Sequence, residues 1–182
     1  MSGASPTDPP PCRIRAAVVT VSDKGHAGLR TDESGPVLVE LLRALGAEVG
    51  QPAIVPDEQD QIEALLRALA DGGTFDLVLT TGGTGLAPRD RTPEATLAVV
   101  DRQAPGLPEA MRAASMAITP RAMLSRAAAG TRGRTLIVNM PGSPKACREH
   151  FAVIASALPH AIETLTGQAY ECATPGGASP PA

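Results

Sequence analysis

The stretch from Leu79 to Thr96 reads LTTGGTGLAPRDRTPEAT, and it decides how the rest of the chain is interpreted. An apolar run from Phe75 to Leu79 leads into it and predicts a buried strand. Thr92 and Pro93 stand near its end and predict a helix start, with threonine as the N-cap and proline at the first helical position. A glycine-rich connection from a strand into a helix can present backbone amides to an anion.

The residue types in this loop favour a binding site over a simple connection. Gly82, Gly83 and Gly85 allow positive φ angles and a close approach of the backbone to a ligand. A pair of glycines alone would favour a flexible connection, but hydroxyl groups and one acid, Asp90, accompany them here. We therefore predict that the loop is functional.

The composition limits the classes of protein to which the chain can belong. Its 182 residues are enough for one domain with a sizeable core. Apolar residues make up 43% of the chain and aromatic residues only 2%, so the core must consist of aliphatic side chains. The net charge is −3, and the sequence has neither the basic cluster of a duplex binder nor the stacking aromatics of a single-strand binder. We therefore expect no nucleic-acid partner.

Three features of the sequence predict the compartment. No apolar run approaches the length of a membrane span. Residues 1–11 lack the basic start and the apolar segment of a signal peptide. Cys12, Cys147 and Cys172 have the spacing of neither a disulfide framework nor a zinc site. We expect no membrane partner and a cytoplasmic location.

Strands and helices alternate along the chain, which predicts an α/β domain around a mostly parallel sheet. Continuous apolar runs predict four strands, at residues 14–21, 49–55, 75–79 and 135–140, the second broken by Pro52. Periodic apolar spacing predicts helices that begin near residues 35, 57, 92, 107 and 143. Pro159 should kink or split the last helix, which Gly167 ends. Residues 102–106 and 127–133 are predicted to be a turn and a loop.

The ends of the chain differ in composition from its middle. Residues 1–12 and 169–182 are rich in Pro, Gly, Ser and Ala, which predicts a disordered tail and a flexible tail. Residues 13–168 contain neither an internal repeat nor a linker. They should form a single domain.

Three of the predicted strands end in polar turns, at Ser22-Asp23, at residues 80–90 and at residues 139–145. Parallel strands have their carboxyl ends at the same edge of a sheet, so these turns should converge on one crevice. Asp57 also follows a strand and can join them. Carboxylates, a glycine loop and a lysine around one crevice suit Mg²⁺ and phosphate oxygens, and therefore phosphoryl or nucleotidyl transfer.

Some of these residues have plain structural alternatives. Ser22 and Asp23 could be turn formers whose side chains bond to the backbone. Asp57 stands where a helix N-cap would stand, and a cap alone would explain it. Ser115 shares a helical face with packing residues, and a hydroxyl that bonds back to its own helix would explain it.

Other chemistries fit the sequence less well. It contains no GxxxxGK[ST] loop, no GxGxxG fingerprint and no GxSxG elbow. His26, His150 and His160 do not have the spacing of metal ligands. These patterns exclude a P-loop enzyme, dinucleotide binding through that fingerprint and an elbow-type serine hydrolase.

Six segments in the same order give the chain a specific resemblance. It resembles the molybdopterin adenylyltransferases, the Mog/MoaB-like proteins of molybdenum-cofactor biosynthesis, to which a domain of gephyrin is related. The resemblance spans residues 13–167. The six segments are TVSD at 20–23, D-x-S-G at 32–35, VPDE at 55–58, TTGGTG at 80–85 with RDRTPEAT at 89–96, P-G-x-x-E-x-M-R-x-x-S at 105–115, and NMPGSPKA at 139–146.

The resemblance implies both a fold and a reaction. The fold would be a three-layer α/β/α sandwich, and the reaction would be the Mg²⁺-dependent transfer of AMP from ATP to the terminal phosphate of molybdopterin, with release of pyrophosphate. Asp57 and Asp90 would be the catalytic carboxylates and the metal ligands, and Asp57 could cap its helix at the same time. The residues that bind substrate would be Ser22, Asp23, Thr81, Gly82, Gly83, Thr84, Gly85, Ser115, Asn139, Pro141, Gly142 and Ser143.

The resemblance also implies partners and one main alternative. The resemblance implies a homo-oligomer, because family members are typically trimers and some MoaB-like ones are hexamers. The molybdenum-insertion enzyme would be a further partner. The compact stretch after residue 146 is closer to the MoaB-like members. The alternative function is therefore a molybdopterin-binding assembly protein with little catalytic activity. A gephyrin-like scaffold has less support, because no partner-binding extension is visible.

Overall fold

The computed structural model describes residues 14–167, and the two predicted tails lie outside these residues. Strands and helices alternate, as the sequence predicts, and no described helix is both long and apolar enough to cross a membrane. In chain order the elements are β1 Arg15–Val21, α1 Asp23–His26, α2 Ser34–Ala44, β2 Glu48–Val49, β3 Ala53–Val55, α3 Gln59–Asp71, β4 Leu77–Thr81, α4 Thr92–Val99, β5 Arg102–Gln103, α5 Gly106–Met116, a 3-10 helix Pro120–Leu124, β6 Ala129–Arg132, β7 Thr135–Met140, α6 Pro144–Ile154 and α7 Leu158–Thr166.

The described strands form one sheet in the order β2-β1-β4-β7-β6-β5. The strand β3 also pairs with β1, further along it than β2. The central strands β1, β4 and β7 are parallel, with Val18 opposite Leu79 and Leu79 opposite Val138. Only β5 and β6 run antiparallel to their neighbours, at one edge. The prediction of a mostly parallel sheet is confirmed.

Alternate residues of the central strands belong to two separate cores. Val18 and Leu79 pack with residues of α2, α5, α6 and α7, whereas Val19 and Val78 pack with residues of α3 and α4. This alternation follows from the two-residue period of a strand. Because helices cover both faces, the strands consist of continuous apolar runs. The three-layer α/β/α sandwich implied by the resemblance is confirmed.

Two short segments differ from the prediction, since the predicted loop at 127–133 contains β6 and the predicted turn at 102–106 contains β5. Small residues hide β6 in the sequence, because Gly130 has little strand propensity. A Cβ at Gly130 would lie 2.8 Å from the side chain of Val100, so the strand needs a glycine there.

Two predicted helix caps are wrong. Glu58, not Asp57, stands at the N-cap of α3, and its side chain makes no capping bond. Thr92 is the first residue of α4 rather than its N-cap, and its hydroxyl donates to the carbonyl of Gly82 at 2.9 Å. The Asp57 carboxylate bonds to the amide of Asp23 and the Thr92 hydroxyl bonds to the carbonyl of Gly82. Each side chain therefore bonds to another segment instead of capping its helix.

The predictions for the last two helices are confirmed. Ser143 caps α6 and accepts a hydrogen bond from the amide of Ala146 at 3.2 Å. Pro159 lies in the first turn of α7, so the apolar stretch is divided into α6 and α7. Gly167 ends α7 in a left-handed conformation, with a φ of +73°.

Candidate functional site

A cavity of about 340 Å³ opens at the carboxyl edge of β1, β4 and β7. The polar turns that follow these strands meet there because the three strands are parallel. Residues from the β3–α3 connection and from the segment before α2 complete the lining. Eight of the residues that the resemblance assigns to the site line this cavity, namely Ser22, Asp57, Thr81, Gly82, Gly83, Asp90, Gly142 and Ser143.

The glycines after β4 serve two different purposes. Gly82 and Gly83 have φ angles of +97° and +62°, which a side chain would strain. Thr92 fixes both: its Oγ1 donates to the Gly82 carbonyl at 2.9 Å, and its amide donates to the Gly83 carbonyl at 3.2 Å. Gly85 has no positive φ, contrary to prediction, but a Cβ there would lie 2.8 Å from Asp90 Oδ2.

Arg126, which no motif in the sequence pointed to, holds the second half of this loop. Its amide donates to the Thr84 carbonyl at 2.9 Å, and its Nε donates to the Gly85 carbonyl at 2.6 Å. Its Nη2 donates to the Asp90 carbonyl at 2.7 Å, and its Nη1 pairs with the Glu94 carboxylate. The loop is therefore tied to α4 and to the segment that leads into β6.

The loop offers free donors and no free acceptors along residues 82–85. All four carbonyls accept a hydrogen bond, from Thr92 or from Arg126. None of the four amides donates to another group within residues 14–167. Free amides beside the start of α4 are suited to bind an anion such as a phosphate group.

Asp23 and Asp57 form a reciprocal pair across the base of the site. Asp57 Oδ2 accepts from the amide of Asp23 at 2.7 Å, and Asp23 Oδ1 accepts from the amide of Asp57 at 2.9 Å. The guanidinium of Arg89 binds both oxygens of Asp23, at 3.0 and 2.8 Å, and also Glu58 Oε1 at 2.8 Å. The hydrogen bonds from Arg89 lower the pKa of Asp23. Asp23 thus supports Asp57 from outside the cavity lining.

Asp57 has a different electrostatic environment from Asp23. Burial raises the pKa of its carboxyl above the ordinary value of 3.8, and the negative charges of Asp23 and Asp90 also raise it. The hydrogen bond from the Asp23 amide lowers this pKa but does not cancel the increase. Within the described residues Asp57 Oδ1 has no hydrogen-bond partner, and it would lie 3.3 Å from a Cβ on Gly83. A cation between Asp57 and Asp90 would relieve their repulsion.

The carboxylates fit one kind of metal site better than another. No cluster of three or more His, Cys, Asp or Glu side chains that could hold a metal occurs between residues 14 and 167. Asp57 and Asp90 alone would make a poor site for a permanently bound metal. Mg²⁺, however, is commonly held by one or two carboxylates together with substrate phosphates. The donor set therefore fits Mg²⁺ that arrives with a nucleotide.

Six of the residues assigned to substrate binding do not line the cavity, namely Asp23, Thr84, Gly85, Ser115, Asn139 and Pro141. Two of them make contacts within the protein instead. Ser115 is buried, and its Oγ lies 2.6 Å from Nε2 of His150 on α6, so it bonds across to another helix rather than back to its own. The Pro141 carbonyl accepts from Thr81 Oγ1 at 2.7 Å and from Cys147 Sγ at 3.0 Å. These contacts hold the β7–α6 turn against β4.

Asn139 is also a structural residue in this fold. It is fully buried, and its Nδ2 donates to Thr80 Oγ1 at 3.0 Å and to Thr96 Oγ1 at 2.7 Å. Its Oδ1 accepts from the amide of Ala128 at 3.1 Å. The side chain therefore links β7, β4, α4 and the start of β6 beneath the cavity.

Residues 30–34 form one wall of the cavity. Asp32 organises it: its Oδ2 accepts from Thr20 Oγ1 at 2.7 Å, and its Oδ1 accepts from the amides of Ser34 and Gly35, both at 3.0 Å. Arg30 of this wall places a cation in the lining. The D-x-S-G segment at 32–35 was the feature of the sequence that could have assigned this wall to the site.

The chain matches a domain family described as a probable molybdopterin binding domain over residues 17–160. The molybdopterin adenylyltransferase of Helicobacter pylori is 41% identical over 156 residues, which cover 85% of this chain and 89% of that protein. Gephyrin of Dictyostelium discoideum is 41% identical over 161 residues, which cover 83% of this chain but only 22% of gephyrin.

The fold matches solved structures over the same region. The crystal structure of the molybdopterin biosynthesis enzyme MoaB from Thermus thermophilus is 51% identical, with a TM-score of 0.80, and the match covers 85% of this chain and 97% of that one. The resemblance drawn from the six sequence segments is confirmed, and the full-length bacterial relative bears the name of a nucleotidyltransferase. The chain belongs to the molybdopterin-binding domain family.

Proposed function

We propose that this chain transfers the AMP group of ATP to the terminal phosphate of molybdopterin, giving adenylyl-molybdopterin and pyrophosphate. The observation that carries the proposal is the meeting of two carboxylates, Asp57 and Asp90, with the glycine loop at one cavity. The adenylyltransferase name of the Helicobacter pylori relative supports it. Nucleotidyl transfer depends mainly on positioning the phosphates and neutralising their charge, and this site contains groups for both tasks.

Each group in the cavity has a role in this reaction. Asp57 and Asp90 would hold Mg²⁺, which when bound neutralises charge on the phosphates. The free amides of Gly82 and Gly83, which line the cavity, would bind phosphate oxygens, and Arg30 would meet the same negative charge. Lys145, in the first turn of α6, is mostly exposed and does not line the cavity; its Nζ lies 3.8 Å from Glu149 Oε1.

The reaction makes one bond and breaks one. An oxygen of the molybdopterin phosphate attacks the α-phosphorus of ATP, and the bond from that phosphorus to the bridging oxygen breaks as pyrophosphate leaves. A phosphate monoester is largely ionised at neutral pH, so its oxygen can attack without a general base. The absence of a general base from the proposed reaction agrees with the cavity, whose lining contains no histidine among the described residues.

The test is to incubate the protein with molybdopterin and Mg·ATP and to measure adenylyl-molybdopterin and pyrophosphate. Asp57→Asn and Asp90→Asn should each lower the rate roughly 100-fold or more, because each removes a charge that faces the phosphates. Both variants should keep the fold and should still bind molybdopterin. Asp71→Asn is the matched control, because Asp71 is exposed and pairs with Arg132 away from the cavity. Wild-type rates in both site variants would refute the role of the carboxylates.

The rival function is that of a molybdopterin-binding assembly protein with little catalytic activity. It predicts that the wild-type protein binds molybdopterin normally but forms no adenylylated product with Mg·ATP. The presence of both Asp57 and Asp90 in the cavity favours the enzyme.

We also propose that the chain works in the cytoplasm as a homotrimer or a hexamer and hands its product to the molybdenum-insertion enzyme. Cys147 is compatible with a reducing compartment, because burial raises the pKa of its thiol to about 11 and so keeps it protonated. Light scattering would distinguish the two assemblies, and a monomeric mass would contradict both.

A further inference from the structure

We infer that Arg126 is the positioning residue that holds the glycine loop in its ligand-binding shape. This inference rests on the proposed transferase function. It concerns a residue outside every motif that pointed to the site. Arg126 acts on the substrate only through the loop, since it does not itself line the cavity.

The contacts of Arg126 reach both ends of the second half of the loop. Near its start, the amide and Nε of Arg126 bind the carbonyls of Thr84 and Gly85, at 2.9 and 2.6 Å. Near its end, Nη2 binds the carbonyl of Asp90 at 2.7 Å. One side chain therefore fixes the separation between the Gly85 backbone, which follows the amides of Gly82 and Gly83, and the backbone that carries the Asp90 carboxylate.

The remaining nitrogen of the guanidinium is anchored to α4. Nη1 pairs with Glu94. Burial raises the pKa of that carboxyl, but the hydrogen bond from Arg126, a backbone hydrogen bond and the charges of Arg126 and Arg91 together lower it below its usual value. Each of the three guanidinium nitrogens therefore donates a hydrogen bond to a protein group, and the side chain does not line the cavity. This favours positioning over direct binding of substrate.

A lysine could not replace these contacts. The planar guanidinium presents five N–H donors in fixed directions, and here three of them meet two carbonyls and one carboxylate. An ammonium group is a single point of charge on a flexible stem. Arg126→Lys keeps the positive charge but loses the planar arrangement of donors, so it separates the effects of these two properties.

Arg132 provides a matched control on the neighbouring strand β6. It binds the carboxylate of Asp71 at 2.8 Å through Nε and the backbone carbonyl of Val99 at 3.1 Å, and its Nη1 also lies 3.8 Å from Asp101 Oδ1. Its side chain is 24% exposed, compared with 32% for Arg126. Arg132→Ala removes an equivalent charge and packing surface but touches no residue of the loop.

The experiment uses the full chain and two measurements on Arg126→Ala, Arg126→Lys and Arg132→Ala. The first is the amide exchange of Asp90 and Thr92 in the protein without substrate, followed by NMR. These two amides bond within the loop, to the carbonyls of Ala87 and Gly83 at 2.9 and 3.2 Å. The second is the rate of AMP transfer to molybdopterin.

We expect Arg126→Ala to speed the exchange of both amides about tenfold or more, because the loop opens more easily. AMP transfer should fall roughly 100-fold, mainly in kcat, because displaced donors no longer meet the charge that develops during transfer. Arg126→Lys should recover only part of either loss. Arg132→Ala should leave both measurements within about threefold of the wild type.

Unchanged exchange in Arg126→Ala would overturn the inference, whatever the activity. Wild-type behaviour of Arg126→Lys would show that charge alone suffices, and it would also overturn the inference. If the wild-type protein forms no adenylylated product, the proposed function fails, but the exchange measurement still decides whether Arg126 holds the loop.

Discussion

Single residues of the same type can have different roles within one motif. In the TTGGTG segment, Gly83 is required by its φ of +62° and by the closeness of Asp57 and Thr92, whereas Gly85 is required by the closeness of the Asp90 side chain. The sequence shows three glycines but not which constraint applies to each. The difference matters for substitution, because strain and steric contact add at Gly83.

Gly83→Ala should therefore be more damaging than a matched change elsewhere. Gly133 also has a positive φ, of +52°, but a Cβ there would meet nothing within 4 Å. We expect Gly133→Ala to lower the free energy of unfolding by about 1–2 kcal/mol, the cost of the left-handed conformation alone. Gly83→Ala should cost more and should also weaken molybdopterin binding. Equal losses in urea unfolding would mean that the contacts with Asp57 and Thr92 are unimportant.

At the level of residues, the sequence predicted the centre of the site better than its supports. Asp57, Asp90 and the glycines follow predictable strands, so their convergence could be inferred. Arg126 could not be found, because its contacts cross 32 to 42 positions of the chain and leave no local pattern. The resemblance implied that Asn139 lines the pocket, but its partners are buried side chains that only the packing brings near.

Secondary-structure elements were predictable where their burial leaves a pattern. The strands β1, β4 and β7 consist of continuous apolar runs because both faces are covered, and Pro159 marks the division between α6 and α7. The strand β6 leaves no such pattern, since it contains Ala129 and Gly130. Its identity depends on pairing with β7, a contact that local propensity does not encode.

The contact between α5 and α6 should make the stability depend on pH. His150 on α6 is buried and bonds Ser115 on α5, and burial lowers its pKa below 6.5 although the charge of Glu149 opposes this. Below pH 6.5 the unfolded chain binds a proton that the folded chain does not, so acidification favours unfolding. We expect the free energy of unfolding to fall between pH 7 and pH 5, and to fall less in His150→Gln.

The control for this prediction is His160→Gln, because His160 is exposed on α7. It should keep the pH dependence of the wild-type protein. Identical slopes of unfolding free energy against pH in His150→Gln and the wild type would show that His150 does not titrate between the two states.

The two cores of the whole molecule share their strands. Each of β1, β4 and β7 contributes alternate residues to the core beneath α2, α5, α6 and α7 and to the core beneath α3 and α4. If either helix layer unfolded, it would expose apolar residues of the three strands that the other layer also covers. The described residues should therefore behave as one cooperative unit.

Calorimetry can test this cooperativity on the predicted domain, residues 13–168. We expect one transition, with equal calorimetric and van't Hoff enthalpies and a midpoint within about 2 °C of the full chain. Two transitions would show that the layers unfold separately. A much lower midpoint would show that the predicted tails contribute to stability.

The parallel register of β1, β4 and β7 also determines when the site can first exist. Val18 lies opposite Leu79, and Leu79 lies opposite Val138, so each pairing joins segments about 60 residues apart. During synthesis, which proceeds from the N-terminus, the turn at residues 142–144 is the last wall of the cavity to be made. Pairings over such separations also form slowly. A nascent or partly folded chain therefore has no complete pocket, and only a chain that has nearly finished folding can take up the substrate.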